Sequence, residues 1–263
     1  PDPAKSFAER KRLFALPRSS WTDYETKLIS EGGDIFERSA KSINLSPQIK
    51  ALLGVSRDQM TPNELIRNIL MAEIDLLWFG GIGTYVKATS EGQADADDRS
   101  NDVVRVDAKA LRCKVIGEGA NLGVTQLGRV EFARAGGRIN TDFIDNSAGV
   151  DCSDHEVNIK IALDDAVSGG AMNKEQRDAL LVQMTGEVSG LVLNDNYLQT
   201  QAISQAEQRA PELLEAQWRV MRSLERRGLL DRTIEELPDD ERMADLQSNG
   251  MGLTRPEYAV LFS

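Results

Sequence analysis

The chain has 263 residues, 31 basic against 42 acidic for a net charge of -11, and is 41% hydrophobic, the composition of a soluble globular protein with room for one large domain or two ordinary ones. The negative balance disfavours nucleic acid and anionic membrane surfaces as partners, because neither attracts it over long range. Cys113 and Cys152 are too few for a disulfide framework and no apolar run approaches the roughly 20 residues of a membrane span, so reduced thiols and a cytoplasmic location are expected.

In chain order, Ser46 with Pro47 starts a short helix, IKALL, that Gly54 ends, and Thr61, Pro62 and Glu64 form a capping box for ELIRNILMAEI. The run Asp75 to Phe79, DLLWF, is short, apolar and stopped by Gly80 and Gly81, as in a buried strand that ends in a loop. TSEGQADADDRS is a polar surface excursion, after which VVRV and LRCKVIG supply further strand-like runs. From Val157 onward the pattern is helical: VNIKIALDDAVS, then Lys174 to Gln208, then PELLEAQWRVMRSLERRG, with breaks at Gly169, Gly170, Gly228 and Pro238. Leu213, Leu214, Trp218, Val220, Met221 and Leu224 make a broad apolar stripe suited to a core or an intersubunit face. The chain opens on Pro1 and closes on a capping box, Thr254 with Glu257, whose helix has barely begun, so both ends are expected to be cuts in a longer polypeptide.

The stretch Gly117 to Glu156, GEGANLGVTQLGRVEFARAGGRINTDFIDNSAGVDCSDHE, concentrates small-residue turns and amide side chains. If DLLWF and CKVIG are neighbouring parallel strands, Gly80, Gly81 and Gly83 follow the first and Gly117, Gly119 and Asn121 the second, at the sheet edge where open α/β folds bind ligands. Ordinary strand-to-helix turns would give the same glycines. A strand followed by GxGxxG is missing, so either the fold is not a dinucleotide fold or its first half lies before Pro1.

The wording VIGEGANLGVT followed by DNSAGVDCSDHEVNIKI resembles the EGAN and NAGGV-x-x-S segments of glutamate dehydrogenases, in particular the large NAD-specific bacterial enzymes. FAERKRLFALPRSSW, SAKSINLSP, DLLWFGGIGTYVKA, NDNYLQTQ and GMGLTRPE agree with that subfamily, so the resemblance covers almost the whole chain. It implies an α/β fold: an incomplete Rossmann-like parallel sheet, residues 1–153 being a partial dinucleotide-binding domain, followed by a mostly α-helical region at 154–263. It implies NAD as cofactor, L-glutamate and 2-oxoglutarate as substrates, and a homo-oligomer of the intact subunit. Residue by residue, Gly80, Gly81, Asn121 and Asn146 are implied in cofactor contact, and Val150 and Ser153 in the glutamate side-chain site, Ser153 bonding the γ-carboxylate. Ser147, Ala148, Asp151 and Cys152 depart from the family pattern, and an extra carboxylate at Asp151 opposes a carboxylate pocket unless it faces away or meets a cation.

Ser153 has a second reading, because Ser153-x-x-Glu156 before VNIKIAL is also a capping box. His155, the single histidine, reads as a first-turn structural residue, since metal sites bring a second histidine or cysteine. Asp95, Asp97 and Asp98 do not make a calcium loop, because Arg99 falls where an oxygen ligand is needed; no metal is expected. None of Lys11, Lys41, Lys87, Lys109 or Lys114 sits in a motif like the family's catalytic lysine. The catalytic acid and base are therefore expected before Pro1, and the piece alone should be inactive. The alternative is a helical regulatory or assembly module with a vestigial nucleotide-binding portion.

Overall fold

A computed structural model describes residues 2–263. Asp2 caps helix α1 (Pro3–Ala15) by accepting from Ala4 and Lys5 N–H. Glu9 of α1 accepts from the Arg12 guanidinium (2.7 and 2.8 Å) and from Glu25 N–H (2.7 Å), pinning the following turns to the helix. Strands β1 (Ile43–Asn44) and β2 (Gln59–Met60) pair antiparallel around α2 (Pro47–Leu53). Ser46 caps α2, Gly54 closes it in the left-handed conformation, and α3 (Pro62–Leu70) carries the reciprocal Thr61–Glu64 capping box. Helix α3 stops at Leu70, so MAEI of the expected run lies beyond it.

The apolar run DLLWF becomes β3 (Leu76–Phe79). Further on lie β4 (Val86–Lys87), β5 (Val106–Asp107) and β6 (Val115–Glu118). Strands β3 and β6 are parallel neighbours in the register Leu76↔Val115 to Phe79↔Glu118, and β4 pairs with β5, also parallel. Val115 N–H donates to Asp75 O on the β3 side while Ile116 N–H donates to Arg138 O on the other. A third segment at Arg138 thus runs parallel along the far side of β6. The expected strand VVRV shrinks to its end: Val103 and Val104 lie in a turn, and the buried Arg105 side chain donates to Thr84 O (2.8 Å) and Asp102 (2.6 Å), holding the chain in that turn. Leu77, Phe79, Ile116, Val124, Phe132 and Ile139 fill the core on one face of β3–β6. Leu76, Trp78 and Val115 look out from the other, 53%, 59% and 37% exposed, although strands this continuously apolar belong to sheets covered on both faces.

After β6 come α4 (Gln126–Arg134), the single turn α5 (Asp142–Asp145), α6 (Ala148–Ser168) and α7 (Lys174–Gln208), the last two an antiparallel hairpin turning at Gly169 and Gly170. Helices α8 (Ala210–Arg226), α9 (Asp240–Ser248) and α10 (Arg255–Phe262) close the chain around a second core that includes Ile203, Leu214, Met221, Met243, Leu246 and Tyr258. Leu214 and Met221 of the predicted apolar stripe are core, whereas Val220 stays half exposed. The Thr254–Glu257 capping box forms, and α10 packs on α4 and α7. Arg134 donates to Glu257 at 2.9 Å, and Arg255 to Asn140 (3.0 Å), Ser204 (3.0 Å) and Glu207 (2.9 Å). The chain is thus mixed α/β with small parallel sheets and a helical second half.

One expectation fails clearly. Ser153 does not cap a helix, because α6 begins at Ala148 and Ser153 lies inside it, its hydroxyl donating back to Gly149 O at 3.2 Å. Cys152, one residue earlier, is helical too. The added turns lack an apolar period of their own; contacts from α7, described next, fix them.

Candidate functional site

The loop between β6 and α4, Gly119 to Val124, is built on a buried ionic brace. Glu118 ends β6 with its side chain fully buried; its two oxygens take the Arg129 guanidinium in a fork at 2.6 and 3.0 Å, and one of them also takes Val124 N–H at 3.0 Å. Burial pushes the Glu118 carboxyl above its ordinary range, against the pull of Arg129. Arg129 also meets Asp142 at 3.0 Å, and the other Asp142 oxygen accepts Leu122 N–H at 2.7 Å. Leu122 is held at φ +54, a left-handed conformation uncommon for a leucine. Asp145 completes the frame, accepting from Glu118 N–H and from Asn140.

On this frame the two asparagines singled out in the sequence meet. Asn146, just after α5, donates its amide to the Asn121 side-chain carbonyl at 2.7 Å. Among the described residues, the Asn121 NH2 and the Asn146 side-chain carbonyl have no protein partner, so the pair presents one donor group and one acceptor outward, the complement of a carboxamide or of paired hydroxyls.

The glycines behave differently from their simplest reading. Trp78 lies across Gly117 and Gly119: an added Cβ would stand 2.6 Å from the indole at Gly117 and would overlap it at Gly119. The missing side chains there admit a tryptophan ring. Gly80, next to the same indole, and Gly81, with nothing near its Cβ position, are exposed at the carboxyl end of β3. Over the open sheet face lies a cleft of about 460 Å3 lined by Trp78, Gly117, Arg138, Asn140 and Arg255. Asn121 and Asn146 do not line it, although Asp145, the neighbour of Asn146, does.

Helix α6 starts directly after Asn146 and is clasped to α7. Buried Ser147 bonds Asp151 (3.0 Å) and Gln199 (2.9 Å), and Asn196 donates to both Ser147 (2.6 Å) and Asp151 (2.8 Å). Two residues that depart from the family pattern, Ser147 and Asp151, thus meet the NDNYLQTQ stretch, and the Asp151 carboxylate is turned to α7 and satisfied by neutral donors. One turn on, His155 contacts Asp195 of α7 at 3.0 Å. Val150 and Ser153 sit three residues apart on α6, both exposed and apart from the asparagine pair's hydrogen bonds. The sequence reading missed Trp78, Arg129 and Asp142 as site-builders; Trp78 stood in DLLWF, but only the parallel register brings its indole to Gly117 and Gly119, and Arg129 and Asp142 meet only in the folded chain.

Residues 1–206 match the family model described as bacterial NAD-glutamate dehydrogenase, catalytic domain. Across its full length the chain is 59% identical to the NAD-specific glutamate dehydrogenase of Pseudomonas aeruginosa and 54% identical to that of Halomonas elongata, covering 16% of each. It is 52% identical to the protein of the same name from Mycobacterium tuberculosis, covering 17% of it. The chain therefore spans about one sixth of the length of these curated relatives.

Proposed function

Because this chain belongs to the bacterial NAD-glutamate dehydrogenase catalytic-domain family, we propose that it forms one wall of the cofactor and substrate cleft of an enzyme that oxidatively deaminates L-glutamate with NAD to 2-oxoglutarate and ammonia. The observation that carries this reading is the Asn121–Asn146 pair at the carboxyl end of parallel strands, with a free amide donor and a free carbonyl facing outward. That donor set fits a nicotinamide carboxamide or ribose hydroxyls, and Gly80 and Gly81 leave exposed main chain at the carboxyl end of the neighbouring strand β3. Bound there, NAD would supply the hydride acceptor for oxidation at glutamate Cα.

The chain's own residues bind and orient. Asn121 and Asn146 hold the cofactor; Val150 and Ser153, exposed on α6, meet the substrate side chain, Ser153 turning its hydroxyl from Gly149 O to the γ-carboxylate. Water addition to the imine requires an acid and a base, which we assign outside these residues. In this reading residues 1–153 are the later part of a Rossmann-like dinucleotide-binding domain, supported by parallel β3, β6 and the Arg138 segment. Residues 154–263 are the helical region, with α6 continuous across the division. A cytoplasmic homo-oligomer is consistent with two free thiols, with no helix among the described residues long and apolar enough to cross a membrane, and with exposed apolar side chains such as Val182 and Leu193 on α7.

Steady-state kinetics of the full-length enzyme test it. Asn121→Ala should raise the KM for NAD about tenfold with little change in that for glutamate, and Ser153→Ala the reverse. Equal, small effects of both would mean that these side chains only maintain structure.

A further inference from the structure

We propose that Asp142 is a positioning residue for cofactor binding: by holding Leu122 N–H it keeps the loop in the left-handed conformation that aims Asn121, and Arg129 holds Asp142 in place. This rests on the assignment of Asn121 to the cofactor. Asp142 reaches Leu122 N–H at 2.7 Å with one oxygen and Arg129 at 3.0 Å with the other. Arg129 in turn forks onto Glu118, which takes Val124 N–H. A single guanidinium thereby fixes two carboxylates, and those carboxylates fix the loop N–H groups at 122 and 124, on the C-terminal side of Asn121.

Leu122 gives the brace its purpose. At φ +54 and 58% exposed, its side chain gains little burial in exchange for a backbone state that L-residues disfavour. The bond to Asp142 offsets that cost. Without it, residue 122 relaxes toward negative φ, and the adjacent Asn121 carbonyl moves away from Asn146. Asp142 therefore acts on the site through the backbone, without touching cofactor or substrate.

The triad carries one positive and two negative charges, so removing Asp142 leaves the matched Arg129–Glu118 pair rather than an orphaned charge. In the full-length enzyme, Asp142→Ala should raise the KM for NAD about fivefold to tenfold, the factor that about 1 kcal/mol of lost preorganisation gives. The KM for glutamate should stay within about twofold. Adding Leu122→Gly, which accepts positive φ at no steric cost, should return the NAD KM most of the way. Asp142→Asn, which keeps an acceptor for Leu122 N–H, should have the smaller effect. Leu122→Val leaves the triad whole and the surface position exposed, yet β-branching resists φ +54; it should reproduce the selective rise even if Asp142→Ala folds poorly. A lower melting temperature with an unchanged NAD KM in Asp142→Ala or Leu122→Val, while Asn121→Ala raises it, would overturn the positioning role and leave the cofactor assignment standing. An unchanged NAD KM in Asn121→Ala itself would overturn that assignment.

Discussion

Asn146 hydrogen-bonds Asn121 through a side-chain contact of 2.7 Å that spans 25 residues of sequence. The bond ties the loop after β6 to the segment that leads into α6.

Because the two amides share one bond, their effects on cofactor affinity should not add. In full-length enzyme, Asn121→Ala and Asn146→Ala should each weaken NAD binding, and the double variant should fall short of their sum by about 0.5–1.5 kcal/mol. A double-mutant cycle on NAD dissociation constants reads this directly. Strict additivity would mean that the contact contributes nothing to the site.

Two glycines should respond differently to a methyl group. At Gly119 the added Cβ meets the indole of Trp78, which is 59% exposed and can swing outward; at Gly252 it meets the main chain of Ala210, which cannot. Gly252→Ala should destabilise by about 3 kcal/mol and Gly119→Ala by about 1 kcal/mol. Thermal unfolding measures both, and only Gly119→Ala should alter tryptophan fluorescence.

The corner between α1 and the following turns should weaken in acid. The Arg12 guanidinium and Glu25 N–H hold the Glu9 carboxyl at about 2, below its unfolded value of 4.5. A depressed carboxyl stabilises the fold fully above the unfolded value, and the contribution disappears as pH falls from 4.5 toward 2. The stability difference between wild type and Glu9→Gln should therefore be constant near neutrality and shrink below about pH 4.5. A difference that holds flat to about pH 2.5 would refute the linkage.

What the sequence disclosed, it disclosed locally. Caps at Ser46, Thr61 and Thr254 lie within three residues of the N–H groups they serve, and each starts a helix where the spacing predicts. The pairing of β3 with β6 was legible because both runs are short, apolar and stopped at glycine or a glycine-rich turn. The start of α6 was not: Ala148 to Asp154 has no apolar period, and its helical state is fixed by Asn196 and Gln199, up to 52 residues away. A local reading therefore found a cap at Ser153, where the chain was already helical. The same distance hid Trp78, whose place over Gly117 and Gly119 depends on the register between strands. Asn121 and Asn146 could be nominated from resemblance, but not their mutual bond.

Helix α10 carries a consequence for synthesis. Arg134 has its carboxylate partner 123 residues downstream at Glu257, and Asn140 accepts from Arg255 115 residues downstream. At about 5–20 residues per second, a ribosome leaves α4 without that partner for roughly 6–25 s. During this interval the surface that α10 will cover is bare on the nascent chain, so premature release or cleavage before residue 255 would leave α4 uncovered and open to chaperones and proteases.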